Sequence, residues 1–339
     1  MSDLNDFISY ENGIYILRQQ MPYPLQENNA YLAETDDGWM VIDLGIDIPG
    51  TRELWKTAVA MAGISFSSIT KIILTHYHPD HLGAAAWLQN MTGAPVYMSD
   101  KDLGIASKYV FLREDRYASY SEFISGAVHL HSFGEEKTER LVSDWCDKVV
   151  PLFPAPEIIK ILNEDDSIVI NGFTYNVRIF SGHTDGQIAL WCEDNRFLFS
   201  GDIFAENGYL HFTDWPHTNN INPLHDFLLS LTAIEEMNPS RIYTGHGKPV
   251  TEYTGVFSKL RKRHKKIIEA IEKSVSSPVS AGEIYELIFP VPQTGDYADY
   301  IHYHRVLIGE VVGYLNFLVS GKRLSSELID GRQLYFAIG

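Results

Sequence analysis

The segment KIILTHYHPDHLG, residues 71 to 83, decides the fold. It joins an apolar run, typical of a buried strand, to His76, His78, Asp80 and His81. Imidazole and carboxylate groups together suit zinc, iron or manganese. A strand end followed by a tight loop can direct alternate side chains to one point in space. We therefore expect His76 and His78 to share one metal ion, while Asp80 and His81 face a second.

Three later fragments place a further ligand type directly after a strand pattern. His183, Asp202 and His246 each follow a glycine at the end of an apolar run. Each fragment alone is as typical of an ordinary turn as of a metal ligand. Together with the first cluster they supply enough imidazoles and carboxylates for two metal sites that share one carboxylate.

The sequence resembles the metallo-β-lactamase superfamily over residues 10 to 250. The five motifs of that family are present in order: Asp43, the His-x-His-x-Asp-His run from His76, and then His183, Asp202 and His246. The resemblance implies an α+β protein with a four-layer αββα sandwich. It also implies a metal-dependent hydrolase with a dinuclear site similar to that of glyoxalase II.

By that resemblance, seven residues are metal ligands, three for each ion and one bridging both: His76, His78 and His183; Asp80, His81 and His246; and Asp202. We place Asp80 and Asp43 in the catalytic set, with Asp43 supporting the ligands rather than binding metal. Thr75 and Thr184 are candidates for orienting the imidazoles. Asp185 departs from the family pattern, in which many members have proline.

The resemblance predicts two divalent metal ions, with Zn²⁺ as the default and iron or manganese as alternatives. A hydroxide that bridges the two ions would attack a small ester, thioester or lactone. The alternatives are a metal-dependent phosphodiesterase or endoribonuclease, and a non-catalytic metal-binding regulatory protein. We expect a small-molecule substrate, and we disfavour nucleic acid as a partner. A homodimer through the C-terminal region stays open.

Two changes of composition along the chain predict its organisation. Residues 101 to 157 are rich in tyrosine and charge, which indicates a helical insertion in a catalytic domain of residues 1–255. From Lys259 onward there are 11 Lys and Arg against 9 Asp and Glu, a net charge of +2. The rest of the chain carries 16 against 35, a net of −19. The pattern after residue 255 resembles a winged-helix-like domain over 256–339.

The overall composition limits the function classes. The net charge is −17, which opposes binding to a phosphate backbone by the protein as a whole. Two cysteines, Cys146 and Cys192, are too few for a disulfide framework and fit a reducing compartment. The N-terminus is polar and no run of 18 apolar residues occurs. We therefore expect a cytoplasmic protein with no membrane association.

Three further groups of residues have both a functional and a packing interpretation. The loop from Tyr209 to His217 carries His211 and is either a wall of the substrate pocket or a plain surface loop. The basic run from Lys259 to Lys266 could contact phosphate, but a solvated helix start is the favoured interpretation. The tyrosines and histidines from Tyr297 to His304 are best interpreted as interface packing.

Overall fold

Two β-sheets form the centre of the protein in the computed structural model, which describes residues 4–21, 27–111, 116–131, 133, 139, 142–143, 153–206, 210–289 and 297–338. The first sheet runs in chain order: β1 (Ile8–Glu11), β2 (Ile14–Gln20), β3 (Glu27–Thr35), β4 (Gly38–Ile42), β5 (Ile69–Ile73), β6 (Val96–Met98) and β7 (Ile159–Ile161). Neighbours are antiparallel from β1 to β4 and parallel from β4 to β7.

The second sheet has the order β12-β11-β10-β9-β8, with the bounds β8 (Ser167–Ile170), β9 (Phe173–Phe180), β10 (Gln187–Cys192), β11 (Phe197–Gly201) and β12 (Arg241–Thr244). Its β11 and β12 pair in parallel, and its other neighbours are antiparallel. The helices are α1 (Pro49–Met61), α2 (Pro79–Leu82), α3 (Ala85–Thr92), α4 (Asp100–Tyr109), α5 (Arg116–His131), α6 (Pro223–Met237), α7 (Thr254–Ser274), α8 (Ala281–Ile288) and α9 (Tyr297–Ser320).

The two-residue period of the strands separates two layers of core. On β4, Met40 and Ile42 belong to the cluster that both sheets share, with Tyr175, Val177 and other residues of the second sheet. Val41, between them, belongs to the cluster that packs beneath the helices. The two sheets therefore face each other with helices outside, which confirms the predicted α+β fold.

Asn171-Gly172 between two apolar runs predicts a hairpin, and the structure has one there. The two residues join β8 to β9 with φ values of 50° and 81°. A two-residue turn of this kind needs positive φ at both positions, which Asn and Gly tolerate best. The sequence from Asp80 to Met91 predicts a single helix, and this prediction is wrong in one respect. It divides into α2 and α3 at Gly83, where a Cβ would lie 2.6 Å from the Pro79 carbonyl and 3.0 Å from Ile46 Cα.

The predicted insertion contributes α4 and α5 within the described residues. Cys146 and much of the chain from 132 to 152 lie outside the part that the structure describes, as does Tyr209. Cys192 is buried on β10 and packs in the core between the sheets, as expected.

The C-terminal region consists of α7, α8 and α9 with a sheet of order β13-β15-β14: β13 (Val279–Ser280), β15 (Arg332–Ala337) and β14 (Leu324–Ile329). Ser280 and Glu283 close a capping box at the start of α8. The buried Leu260 and Ile308 share one hydrophobic cluster with Leu224 of α6, so the core is continuous across residue 255. The domain boundary and the winged-helix-like assignment stay predictions.

Candidate metal centre

The predicted ligands lie where strands end, at one edge of the two sheets. The run from His76 to His81 follows β5, and His183 lies between β9 and β10. Asp202 directly follows β11, and His246 comes two residues after β12. These four segments meet because Ile188 N of β10 donates a 2.8 Å hydrogen bond to the Thr75 carbonyl, which joins the edges of the two sheets.

The first group consists of His76, His78 and His183, whose ligand atoms lie within 4.8 Å of one another. His78 Nδ1 is 2.9 Å from His76 Nε2 and 3.0 Å from His183 Nε2. Nitrogens around a tetrahedral zinc ion are about 3.3 Å apart, since each Zn–N bond is about 2.05 Å. The three nitrogens therefore have nearly the spacing of a metal site.

Burial and the neighbouring histidines lower the pKa of His76, and they lower the pKa of His183 to about 4. Both rings are therefore neutral at pH 7, the state that binds metal.

The second group consists of Asp80, His81 and His246, which also converge within 4.8 Å. Asp202 Oδ2 lies 3.0 Å from His246 Nε2, 3.4 Å from His81 Nε2 and 3.7 Å from His183 Nε2. One carboxylate thus reaches ligand nitrogens of both groups. Asp202 Oδ1, His81 Nε2 and His246 Nε2 are buried and make no hydrogen bond, so they fit a bound cation.

Charge in the second group is set by its carboxylates. Burial alone lowers the pKa of His246, but Asp202 and Asp80 outweigh it and raise that pKa to about 10. Asp202 and Asp43 likewise raise the pKa of His81 against its burial. The pKa values of Asp80 and Asp202 are lowered by these same histidines, although burial opposes the shift. A divalent cation would take the place of the two imidazolium protons.

Asp43 and Thr75 hold two of the rings from behind. Asp43 Oδ1 accepts from Thr75 N and Oδ2 accepts from Thr75 Oγ1, both at 2.8 Å. Oδ2 also lies 2.8 Å from His81 Nδ1. The Thr75 hydroxyl donates its hydrogen to Asp43, so its oxygen accepts a hydrogen bond from His76 Nδ1 at 3.0 Å. Both rings therefore direct Nε2 into the site.

Backbone carbonyls orient two more rings. His183 Nδ1 donates to the carbonyl of His211 at 2.9 Å, and His246 Nδ1 donates to the carbonyl of Glu27 at 2.8 Å. A hydrogen bond from one ring nitrogen leaves the lone pair of the other nitrogen for a metal.

The fifth ring, His78, has a partner that the sequence reasoning missed. Its Nε2 lies 3.4 Å from Asp214 Oδ2, so Nδ1 is its ligand atom. Asp214 is 3% exposed and accepts from Arg305 Nη1 at 3.0 Å and from the hydroxyl of Tyr77. His217 Nδ1 lies 3.0 Å from the same carboxylate. Arg305 belongs to α9, 91 residues away in sequence, so no local pattern could reveal the pair.

Three other residues singled out in the sequence lie near the metal centre: Thr184, Asp185 and His211. Thr184 does not orient an imidazole as expected: its hydroxyl bonds to Asp102 Oδ2 at 2.8 Å, because the side chain points toward the start of α4. Asp185 bonds to Thr218 and Asn219 and so anchors a loop. His211 does reach the centre, with its ring centroid 4.5 Å from that of His183.

Two glycines permit this close approach. A Cβ at position 245 would lie 1.9 Å from Asp202 Oδ1 and 2.9 Å from His81 Cε1. Gly201 has a φ of 51°, and a Cβ there would lie 2.9 Å from Thr75. Any larger residue at Gly245 would occupy the space between the two groups.

The fold and the paired His/Asp groups define a class of αββα metal-dependent hydrolases. Residues 24–246 match the family model of the metallo-beta-lactamase superfamily, and the chain belongs to this superfamily. The protein is accordingly a metal-dependent hydrolase.

The curated relatives include a Beta-lactamase-like protein 2 homolog of Caenorhabditis elegans, 24% identical over 74% of this chain and 68% of the relative. The probable metallo-hydrolase YqjP of Bacillus subtilis is 20% identical over 95% of this chain and 97% of its own length. A third relative, at 22% identity over 67% of this chain and 73% of its own length, is the Acyl-coenzyme A thioesterase MBLAC2 of Gallus gallus.

Among solved structures, the metallo-beta-lactamase family protein TTHA1429 of Thermus thermophilus superposes with a TM-score of 0.77. The match covers 97% of this chain and all of that protein, at 24% identity. At that identity the similarity establishes the fold alone, and it includes the C-terminal region.

Proposed function

We propose that this protein binds two divalent metal ions and hydrolyses a small ester, thioester or lactone. The proposed ligands are those that the sequence predicts: His76, His78, Asp80, His81, His183, Asp202 and His246. One observation carries the proposal. The three nitrogens of the first group face one another at 2.9 and 3.0 Å, and Asp202 Oδ2 lies within 3.7 Å of His183 and 3.0 Å of His246, so it reaches both groups.

When bound, two such ions lower the pKa of a shared water and polarise the carbonyl under attack. The residues of the chain set the geometry of that centre. Asp80 closes the second group through His246, whose Nε2 lies 3.3 Å from Asp80 Oδ2, and it would hold the second ion there. Asp43 is 1% exposed and touches Thr75 and His81, so it acts as a positioning residue.

The thioester is the first substrate class to test, because one relative is named as an acyl-coenzyme A thioesterase. Zinc is the first metal to test, because three imidazoles in a near-tetrahedral spacing suit it.

The alternative of an endoribonuclease is disfavoured by the packing of α9. In a winged-helix-like region the third helix is the one that would enter a groove of nucleic acid. Here Leu307, Ile308 and Val311 of α9 are buried, and a Cβ at Gly313 would lie 2.6 Å from the ring of Phe212. Over residues 304–320, where the structure describes its side chains, that helix has little free surface for a phosphate backbone.

The test is elemental analysis followed by turnover of an acyl-coenzyme A, an acyl lactone, a phosphodiester chromophore and single-stranded RNA. Wild-type protein should hold two ions and cleave a carbonyl substrate. The Asp202→Ala variant should lose both ions in part and all turnover. The Asp165→Asn variant, which changes an exposed carboxylate 75% open to solvent, is the matched control and should match wild type.

If the protein cleaved RNA and none of the carbonyl substrates, the proposal would be wrong and the phosphodiesterase alternative would take its place. Protein that holds metal but turns over none of these substrates would favour the metal-binding regulatory alternative, and protein that holds no metal after reloading would refute the proposal.

A further inference from the structure

We propose that the protein has a second binding site, separate from the metal centre, for an uncharged small molecule that bears hydroxyl and amide groups. The site is a cavity of about 320 Å³ at the junction of α5, the loop 213–223, α9 and the β14–β15 hairpin. Its volume falls within the range of small-molecule pockets. None of the seven proposed metal ligands lines it.

The chemistry of the walls sets the class of ligand. The cavity is lined by the rings of Trp215 and His131, the hydroxyls of Thr213 and Tyr335, and the amides of Asn316 and Gln333. Among the described residues that line it there is no Asp, Glu, Lys or Arg. A charged ligand would lose its hydration without finding an opposite charge, whereas a neutral polar ligand would find donors and acceptors.

One of these polar groups, the imidazole of His131, has a buried nitrogen with no hydrogen-bond partner. His131 is 7% exposed, and its Nδ1 makes no hydrogen bond. Burial lowers the pKa of His131 to about 4, so the ring is neutral and offers one donor and one acceptor. Buried polar groups in native proteins nearly always have a partner, so an unpaired imidazole on a cavity wall points to a ligand or bound water.

Other polar groups lie on the same wall. Tyr335 is 1% exposed, and burial raises the pKa of its hydroxyl. The amides of Asn316 and Gln333 are half-buried and line the cavity with it. The wall thus presents an imidazole, a phenol and two amides to whatever fills the cavity.

The combination of aromatic rings with amides and hydroxyls fits a neutral N-acetylated sugar. Trp215 and His131 meet edge to face, with ring centroids 5.6 Å apart, which gives one side of the cavity an amphipathic aromatic surface. An N-acetylhexosamine has an apolar ring face, several hydroxyls and one amide, and it carries no charge. We therefore take N-acetylglucosamine as the probe.

The cavity and the metal centre lie on opposite sides of one segment. Thr213 and Trp215 line the cavity, whereas Asp214 between them lies 3.4 Å from His78. The site is therefore distinct from the hydrolytic centre, and its occupancy is measured without an activity assay.

The experiment is titration calorimetry of the full chain with N-acetylglucosamine and with N-acetylglucosamine 6-phosphate. The neutral sugar should bind with a dissociation constant in the millimolar range, typical of a ligand of that size. The phosphorylated sugar should bind at least about tenfold more weakly, because the cavity offers its charge no partner.

Two variants locate the binding. Asn316→Leu and Gln333→Leu should each weaken binding of the neutral sugar by about tenfold, since each removes one hydrogen-bonding group. Asn90→Leu, an exposed amide at the end of α3, is the matched control and should bind like wild type. Absence of binding by the wild type, equal binding of the two sugars, or equal binding by Asn316→Leu and wild type would each overturn the proposal.

Discussion

The Asp214→Asn substitution tests a residue that contacts a proposed metal ligand, His78, without being a ligand itself. The substitution keeps the shape of the side chain and removes its charge. In the folded protein that carboxylate lies 3.0 Å from Arg305 Nη1, 3.0 Å from His217 Nδ1 and 3.4 Å from His78 Nε2. The side chain of Arg305 is 12% exposed, so its charge is mostly removed from water.

Two effects follow from this geometry. Removing the charge of one partner of a buried ion pair lowers the free energy of unfolding by about 3 kcal/mol. Here the Arg305 guanidinium loses the Asp214 carboxylate in a medium of low dielectric constant. Loss of the carboxylate behind a metal-binding histidine lowers metal affinity by about 10- to 100-fold. The sequence places Asp214 in none of the proposed ligand sets, so only the tertiary contacts predict this second effect.

The assays are urea unfolding of the metal-free protein and competition for zinc with a chromophoric chelator. Asp214→Asn should lose both stability and affinity. Asp214→Asn combined with Arg305→Met should be more stable than the sum of the single changes by about 2 kcal/mol, because no unpaired charge remains. An Asp214→Asn protein with wild-type zinc affinity would refute the role of Asp214 in orienting His78. Asp165→Asn serves as the exposed control.

Three further changes test other parts of the structure. Gly245→Ala should abolish binding of the second metal, because its Cβ would lie 1.9 Å from Asp202 Oδ1, whereas Gly255→Ala, with no atom within 4 Å, should not; metal analysis separates them. His264→Gln tests acid stability. Burial and the charge of Arg263 lower the pKa of His264 to about 3, so the stability from its neutral form is present above pH 6.5 and is lost as the pH falls toward 3. Urea unfolding of wild type should thus lose about 2 kcal/mol more than His264→Gln between pH 7 and 5, and equal losses would contradict the assignment. Ser280→Ala should cost about 1 kcal/mol in the same assay, because it removes the cap of α8.

The histidine-rich segment after β5 made the site predictable. Ligands that follow strand ends meet at one edge of a sheet, which agrees with the grouping of His76, His183 and Asp202 that the resemblance implied. The hairpin at Asn171 was equally clear, because positive φ at two successive residues restricts the sequence strongly.

Contacts between distant segments could not be predicted in this way. Thr184 directly follows His183, a position from which its hydroxyl could orient the imidazole. The hydroxyl instead donates a hydrogen bond to Asp102, 82 residues earlier. The support of His78 comes from Asp214, which the sequence marked only as part of the loop from Tyr209 to His217, a possible wall of the substrate pocket. A side chain of this kind has no local signature, because its partners are selected by packing rather than by chain neighbours.

The sequence by itself indicated the superfamily and, through that resemblance, the fold class and the set of candidate ligands, because the motifs that carry the resemblance lie within short segments. Only the tertiary structure decided which nitrogen of each imidazole faces the centre, since that depends on the donor or acceptor behind each ring. It also decided that Arg305 of α9 supports the metal centre through Asp214. It placed the cavity beside Trp215 for the same reason, because both features exist only where segments far apart in the chain meet.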